Sequence, residues 1–130
     1  MKTLKEILGE ELIQRIQQEN AEASKDHKSH FHPDLRLFLK WAYRVKEDWY
    51  GFSLGETVPS SWVIAIELFL RFMKQEVPDF KILQIKLKFG GLRMYLEIDS
   101  DNNYPLEYKQ EIRSLIDELQ SLCFTKNLIY

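Results

Sequence analysis

Cysteine and long apolar runs are both scarce in this sequence. Cys123 is the only cysteine among 130 residues, which excludes an intramolecular disulfide and a metal site built from several thiolates. The longest apolar run covers residues 62–66, far short of the roughly 20 residues that span a membrane. The N-terminus also lacks the apolar core of a signal peptide. We therefore expect a soluble protein of the reducing cytoplasm that does not enter a membrane.

An excess of charge of either sign is also lacking. There are 18 lysines and arginines and 20 acidic residues, which gives a formal net charge of −2. So small a charge creates no long-range attraction to nucleic acid or to an anionic membrane, and any anion site has to be local. The 45% of hydrophobic and 29% of charged residues are typical of a globular chain, and the length suits one domain.

Several familiar catalytic motifs are missing. The sequence contains no phosphate-binding Walker loop, no dinucleotide fingerprint and no His-Glu-x-x-His pair. Glu67 lies among apolar neighbours, which suits an acid or a base, but Arg71 follows four residues later and an ion pair along one helix is the simpler interpretation. The sequence therefore favours a non-enzymatic protein, with an enzyme of unrecognised type that uses Glu67 or the histidines as an alternative.

Apolar periodicity divides the chain into helices and one hairpin. Thr3 and Glu6 form a capping-box pattern that opens an N-terminal helix, whose apolar stripe ends at Ile16 before a polar stretch. We predict that residues 1–24 form a helix and tether and that residues 31–130 form a single α+β domain. In this domain three to four helices pack on a β-hairpin or small antiparallel sheet: one from Pro33 to about Asp48, one from Trp62 to Gln75 after a serine cap at Ser60 or Ser61, and one from about Pro105.

The hairpin is predicted from residues 84–98, QIKLKFGGLRMYLEI. A two-residue turn at Gly90 and Gly91 fits the type I′ geometry, which requires positive φ at both positions. This register places Phe89 opposite Leu92 and puts the apolar residues of both strands on one face. The opposite face then pairs Lys88 with Arg93, Lys86 with Tyr95, and Gln84 with Glu97.

The polar face of the hairpin is the first candidate site. Lys86, Lys88 and Arg93 place three cations around Tyr95, which suits a phosphate, a nucleic-acid backbone or an acidic patch on another protein. The alternative is a solvated sheet face whose lysines discourage aggregation. Trp41 is a further candidate contact because it lies on a helix stripe separate from the core stripe, with burial in the core as its alternative.

Metal sites are not indicated. His27, His30 and His32 lie in a polar segment that also carries acidic residues, but their spacing matches no zinc pattern and a solvated linker accounts for them. Cys123 falls on the apolar stripe of the last helix, as a small buried hydrophobe would. We therefore assign neither a metal nor a cofactor.

The central third of the chain resembles a group of small uncharacterised bacterial and phage proteins. Their shared feature is a tryptophan-containing helix followed by a stretch like Lys-Glu-Lys-Phe-Gly-Gly-Leu-Arg-Phe-Tyr. The resemblance implies a hairpin and a bacterial or phage setting, and it implies no activity. Members often end in a zinc-knuckle-like tail with two cysteines, which this chain does not share near Cys123. The matching residues are Lys86, Lys88, Phe89, Gly90, Gly91, Leu92, Arg93 and Tyr95, while Leu87 and Met94 replace the Glu and the second Phe.

These observations favour a non-enzymatic interaction or regulatory protein whose partner is another protein. The aromatic share of 13% and the narrow apolar stripe of the N-terminal helix support this hypothesis, and the same helix offers a contact for a homo-oligomer. Binding of nucleic acid or phosphate through the basic hairpin face is the alternative.

Overall fold

The computed structural model describes residues 1–23, 58–98 and 103–128, together with the backbone of residues 52–53. The predicted α+β class is confirmed, in a single small domain. The predicted helix from Pro33, with Trp41, the three histidines and the boundary at residues 24–31, lies outside the described residues. In chain order the elements are α1 (Leu4–Leu8), α2 (Glu10–Glu22), β1 (Phe52–Ser53), α3 (Ser60–Glu76), β2 (Lys81–Lys88), β3 (Gly91–Glu97), α4 (Leu106–Leu122) and a 3₁₀ helix (Lys126–Leu128).

The N-terminal helix begins as predicted and is interrupted once. Thr3 and Glu6 form the reciprocal capping box, with the Glu6 amide donating to the Thr3 hydroxyl over 3.2 Å. Gly9 adopts φ 86° and ψ 148°, a conformation open to glycine almost alone, and this divides the segment into α1 and α2. α2 continues beyond the end of its apolar stripe at Ile16 and ends at Glu22.

Helices α1 and α2 pack against α3 and contribute to the same core. Leu4, Leu8 and Ile16 are buried there, so their apolar stripe faces the domain itself. α3 contributes more buried residues than any other element, including the fully buried Trp62 and Phe69. A helix that is apolar over most of its circumference is typical of the centre of a fold, and α3 occupies that position.

The predicted serine cap of α3 is wrong. The N-cap residue is Pro59, which has no side chain that can accept a hydrogen bond, and Ser60 and Ser61 lie in the first turn. The carboxylate of Glu19 on α2 accepts from the Ser61 amide over 3.1 Å. The exposed amides at the start of a helix need an acceptor, and here another helix provides it.

The sheet has three strands in the order β1-β2-β3. β1 runs parallel to β2 and pairs Phe52 with Ile85, so the sheet is mixed, although its hairpin is antiparallel. α4 lies against β3, and its residues Ile112 and Leu119 are fully buried. The apolar face of the hairpin is thereby covered, as the marginal stability of an isolated hairpin requires.

Candidate interaction surface

The hairpin turns one residue earlier than predicted. Lys88 pairs with Gly91, so the two turn residues are Phe89 and Gly90, with φ of 53° and 77°. Positive φ at both positions is the type I′ pattern, but a phenylalanine there is strained by roughly 1–2 kcal/mol because its Cβ approaches the backbone. A residue that suits the turn poorly therefore occupies its first position.

This shift overturns the predicted environment of Phe89. The side chain does not face Leu92 in the core but is 71% exposed at the tip of the hairpin. The Lys88 ammonium lies 5.4 Å from the centroid of its ring, within the range of a cation–π contact. Phe89 thus combines an exposed aromatic ring with a left-handed backbone conformation, and this combination is the least expected feature of the described surface.

The predicted polar face keeps its members but changes its pairs. Lys86 lies opposite Arg93, and Tyr95 lies opposite Gln84. The Lys86 ammonium reaches over the Tyr95 ring, 5.8 Å from the centroid. The new register retains a like-charge cross-strand pair, which is unfavourable by about 0.2–1 kcal/mol on the usual scale.

These cations are not neutralised by the residues that the structure describes. The ion pairs within the described ranges join Lys5 to Glu10, Arg15 to Glu19, Arg71 to Glu67 and Lys81 to Glu97. The pair predicted between Glu67 and Arg71 is thus confirmed, with 3.0 Å between the charged atoms. Lys86, Lys88 and Arg93 enter none of these pairs.

The chain after α4 lies beside the hairpin turn. The Leu92 amide donates to the Cys123 carbonyl over 2.8 Å, and the Thr125 amide donates to the Gly90 carbonyl over 2.9 Å. A Cβ atom on Gly91 would approach the Phe124 ring to 3.2 Å. Glycine is therefore favoured at position 91 because a side chain there would meet the Phe124 ring, and at position 90 because the backbone φ is positive.

A groove of about 410 Å³ runs between β3 and the end of α4. The Gln120 side chain lines this groove and connects α4 to β3, because its Oε1 accepts from the Met94 amide over 2.8 Å. Phe124 forms one wall and is 45% exposed. We refer to Phe89, the three cations and this groove together as the hairpin surface. The groove is lined by Arg93, Asp117, Gln120, Ser121 and Phe124.

Sequence reasoning missed Phe89 and Phe124 as surface residues. Moving the turn by one residue shifts the pairing by two, which leaves the strand residues from Gln84 onward on their original faces, so the hydrophobic pattern next to the turn fits both registers. Further from the turn, an irregularity between Ile82 and Gln84 leaves Leu83 50% exposed and buries Ile82, although Leu83 belongs to the apolar face in a regular alternation. For Phe124, the only local signal is that it follows the last turn of α4. Its position over Gly91 depends on a contact between distant parts of the chain.

Candidate catalytic groups are not gathered into a site within the described ranges. Burial raises the pKa of the Cys123 thiol well above its usual range, so this cysteine is not a poised nucleophile. The sequence also contains a Gly-x-Ser-x-Gly pattern at residues 51–55, which sequence reasoning overlooked. An elbow serine lies on a tight turn between strand and helix. Ser53 instead lies within β1, paired with Lys86, and α3 begins only at Ser60.

Comparison with protein-family models, with curated proteins and with solved structures finds no match to this chain. None of the helices in the described ranges is long and apolar enough to cross a membrane.

Proposed function

We propose that this chain is a non-enzymatic protein-interaction module of the bacterial or phage cytoplasm, and that it binds an acidic surface of another protein through the hairpin surface. The observation that carries the proposal is Phe89, held at φ 53° and 71% exposed. Both features disfavour phenylalanine in the isolated protein. Strained and exposed residues of this kind concentrate at functional sites, and exposed aromatic rings are frequent anchors of protein interfaces.

Charge defines the kind of partner. Lys88 lies beside the ring of Phe89, and Lys86 and Arg93 lie on the same face of the hairpin without acidic partners among the described residues. Since the whole chain has a net charge of −2, this positive charge is local. An acidic partner surface with an apolar pocket for the ring would complement both properties.

A single substitution separates binding from folding. Phe89→Asn creates Asn-Gly, the preferred pair for a type I′ turn, so the free energy of unfolding should stay the same or rise by up to about 1 kcal/mol. Loss of an aromatic anchor should weaken binding by about 30-fold. The matched control is Leu106→Asn, since Leu106 is 64% exposed and lies at the opposite end of α4 from Phe124.

The measurement is affinity capture from a bacterial lysate, followed by calorimetric titration of the captured protein. Capture by the wild type and by Leu106→Asn, with loss in Phe89→Asn, would support the proposal. Charge reversal of Lys86, Lys88 and Arg93 together should also abolish capture. A partner that both the Phe89→Asn protein and the charge-reversed protein retain would refute the proposal.

Binding of single-stranded nucleic acid is the second candidate. It is favoured by the cations that lie over Tyr95 and Phe89, because bases stack on aromatic rings while cations contact the phosphates. Titration of a labelled oligonucleotide at several salt concentrations distinguishes the two functions. Nucleic-acid affinity should fall steeply with salt and with Arg93→Glu, whereas an interface anchored by Phe89 should depend on salt much less.

A further inference from the structure

The groove beside β3 contains hydrogen-bond donors that the described fold does not use. Oε1 of Gln120 is occupied by the Met94 amide at 2.8 Å, which directs the side-chain nitrogen away from the strand. Neither that nitrogen nor the Arg93 guanidinium takes part in a hydrogen bond or ion pair with another residue of the described ranges. Both line the same groove. A guanidinium and an amide side by side form a donor set for a carboxylate.

The rest of the groove adds an apolar wall and an acceptor. The Phe124 ring lies over Gly91 and leaves almost half of its surface accessible. The Ser121 hydroxyl and the Asp117 carboxylate complete the lining. The negative charge of Asp117 repels anions, and this repulsion grows with the charge of the ligand, so the groove suits a single carboxylate better than a polyanion such as nucleic acid.

A partner strand cannot simply extend the sheet at this edge. The Leu92 amide is already bound by the Cys123 carbonyl, and the Met94 amide by Gln120, each over 2.8 Å. Addition of a strand needs free backbone groups along an edge. Recognition here has to use side chains.

We infer that this groove binds a carboxylate of the partner protein that lies next to an apolar side chain, with Arg93 and Gln120 contacting the carboxylate and Phe124 contacting the apolar group. The inference rests on the proposed function, because it names what the partner inserts beside the hairpin tip. It goes further in assigning a specific role to Gln120 and Phe124. Neither residue belongs to the basic strand face.

A small matched pair of ligands tests the inference on the full chain. N-acetylphenylalanine carries a carboxylate beside an aromatic ring, and N-acetylphenylalanine amide differs only in replacing the carboxylate by a neutral amide. In a two-dimensional NMR titration, the acid should saturably shift the Gln120 side-chain NH₂ resonance and the backbone resonances of Arg93 and Phe124. The amide should bind at least about tenfold more weakly, since a hydrogen bond to a charged group is lost.

Three variants should change the affinity for the acid, two of them downwards and one upwards. Gln120→Glu keeps an oxygen that can accept from the Met94 amide, so the fold should persist. It replaces the NH₂ donors by a negative charge, so the affinity for the acid should fall by at least about tenfold. Arg93→Gln should weaken binding similarly. Asp117→Asn removes the opposing charge and should strengthen binding by about two- to fivefold.

The outcomes separate the inference from the proposed function. Acid binding that depends on Arg93 and Gln120 supports the inference. Equal binding of acid and amide, or no shift in the groove up to the solubility limit, overturns it. Tighter binding of inorganic phosphate or an oligonucleotide at the same resonances also overturns it. If a captured partner requires Phe89 but tolerates Gln120→Glu and Arg93→Gln, the inference fails while the proposed function stands.

Discussion

Asn20 forms hydrogen bonds with residues of α3, of α4 and of the segment after α4, and its replacement by alanine should destabilise the protein strongly. Its Oδ1 accepts from the buried Trp62 indole over 2.6 Å, and its Nδ2 donates to the Leu122 carbonyl over 2.8 Å. Its own carbonyl accepts from the Thr125 hydroxyl over 2.8 Å. Helix α2 is thereby connected to α3, to the end of α4 and to the segment beside the hairpin turn.

The expected magnitude follows from the groups left without partners. Asn20→Ala leaves the Trp62 N–H buried without an acceptor and the Leu122 carbonyl without its donor. A buried polar group without a partner is unfavourable by roughly 1–3 kcal/mol, and Asn20 is only partly buried, so water can compensate at one of the two positions. Adding the net contribution of about 1 kcal/mol for the hydrogen bond lost at the other position, we expect the free energy of unfolding to fall by about 2–4 kcal/mol. Gln18→Ala on the exposed side of α2 should change it by less than about 0.5 kcal/mol.

A double-mutant cycle isolates the bond to the indole. Urea unfolding is measured for the wild type, Asn20→Ala, Trp62→Phe and the double variant. Since Trp62→Phe removes the N–H donor, the effect of Asn20→Ala should be about 1–2 kcal/mol smaller in that background. Additive effects, or a loss for Asn20→Ala no larger than for Gln18→Ala, would refute the assigned role of Asn20.

Three further predictions concern the helix termini and the glycines. Burial raises the pKa of the Glu19 carboxyl, but hydrogen bonds from Ser61 and Arg15 lower it by more, so the pKa in the folded protein lies below the usual value. The ionised carboxylate therefore stabilises the fold fully above the unfolded-state pKa, and this stabilisation is lost as the pH falls through the folded-state pKa. Urea unfolding should show Glu19→Gln less stable than wild type at pH 7, with the difference disappearing in acid; a difference independent of pH would contradict this sign. Gly9→Ala should lower stability by about 1–3 kcal/mol in thermal unfolding through backbone strain alone, since no atom lies within 4 Å of the added Cβ. Gly91→Ala should instead displace Phe124, detected as shifted Phe124 ring resonances that Gly9→Ala leaves unchanged.

The Glu19 carboxylate and the 3₁₀ segment illustrate contacts that local sequence patterns do not reveal. Glu19 caps a helix that begins 41 positions later, because its side chain meets the Ser61 amide only when α2 packs on α3. Asn127 similarly donates to the carbonyls of Asn20 and Ala21 at the end of α2. The apolar stripe of α2 predicts a buried face, but the polar residues at its end gain partners only in the folded domain.

Local sequence patterns predict most of the helices and both hairpin strands of the described ranges, although not β1 or the break at Gly9. The capping box at Thr3, the almost wholly apolar α3 and the amphipathic α4 follow from periodicities of one or two helical turns, and each is observed. The two-residue period of β3, and of β2 from Gln84 onward, likewise predicts which hairpin residues are buried and places Lys86, Lys88 and Arg93 together on the other face. The irregularity between Ile82 and Gln84, which exposes Leu83, does not follow from that period.

The choice of the two turn residues depends on contacts between distant parts of the chain. Turns at Phe89-Gly90 and at Gly90-Gly91 both keep the strand residues from Gln84 onward on the same faces, so the hydrophobic pattern next to the turn cannot choose between them. With the turn at Phe89-Gly90, Gly91 starts β3 and lies against Phe124, where a side chain would meet the ring at 3.2 Å. That contact joins parts of the chain that are far apart in sequence. It exists only once α4 has packed on the sheet, and it accompanies the register that leaves Phe89 exposed at the tip.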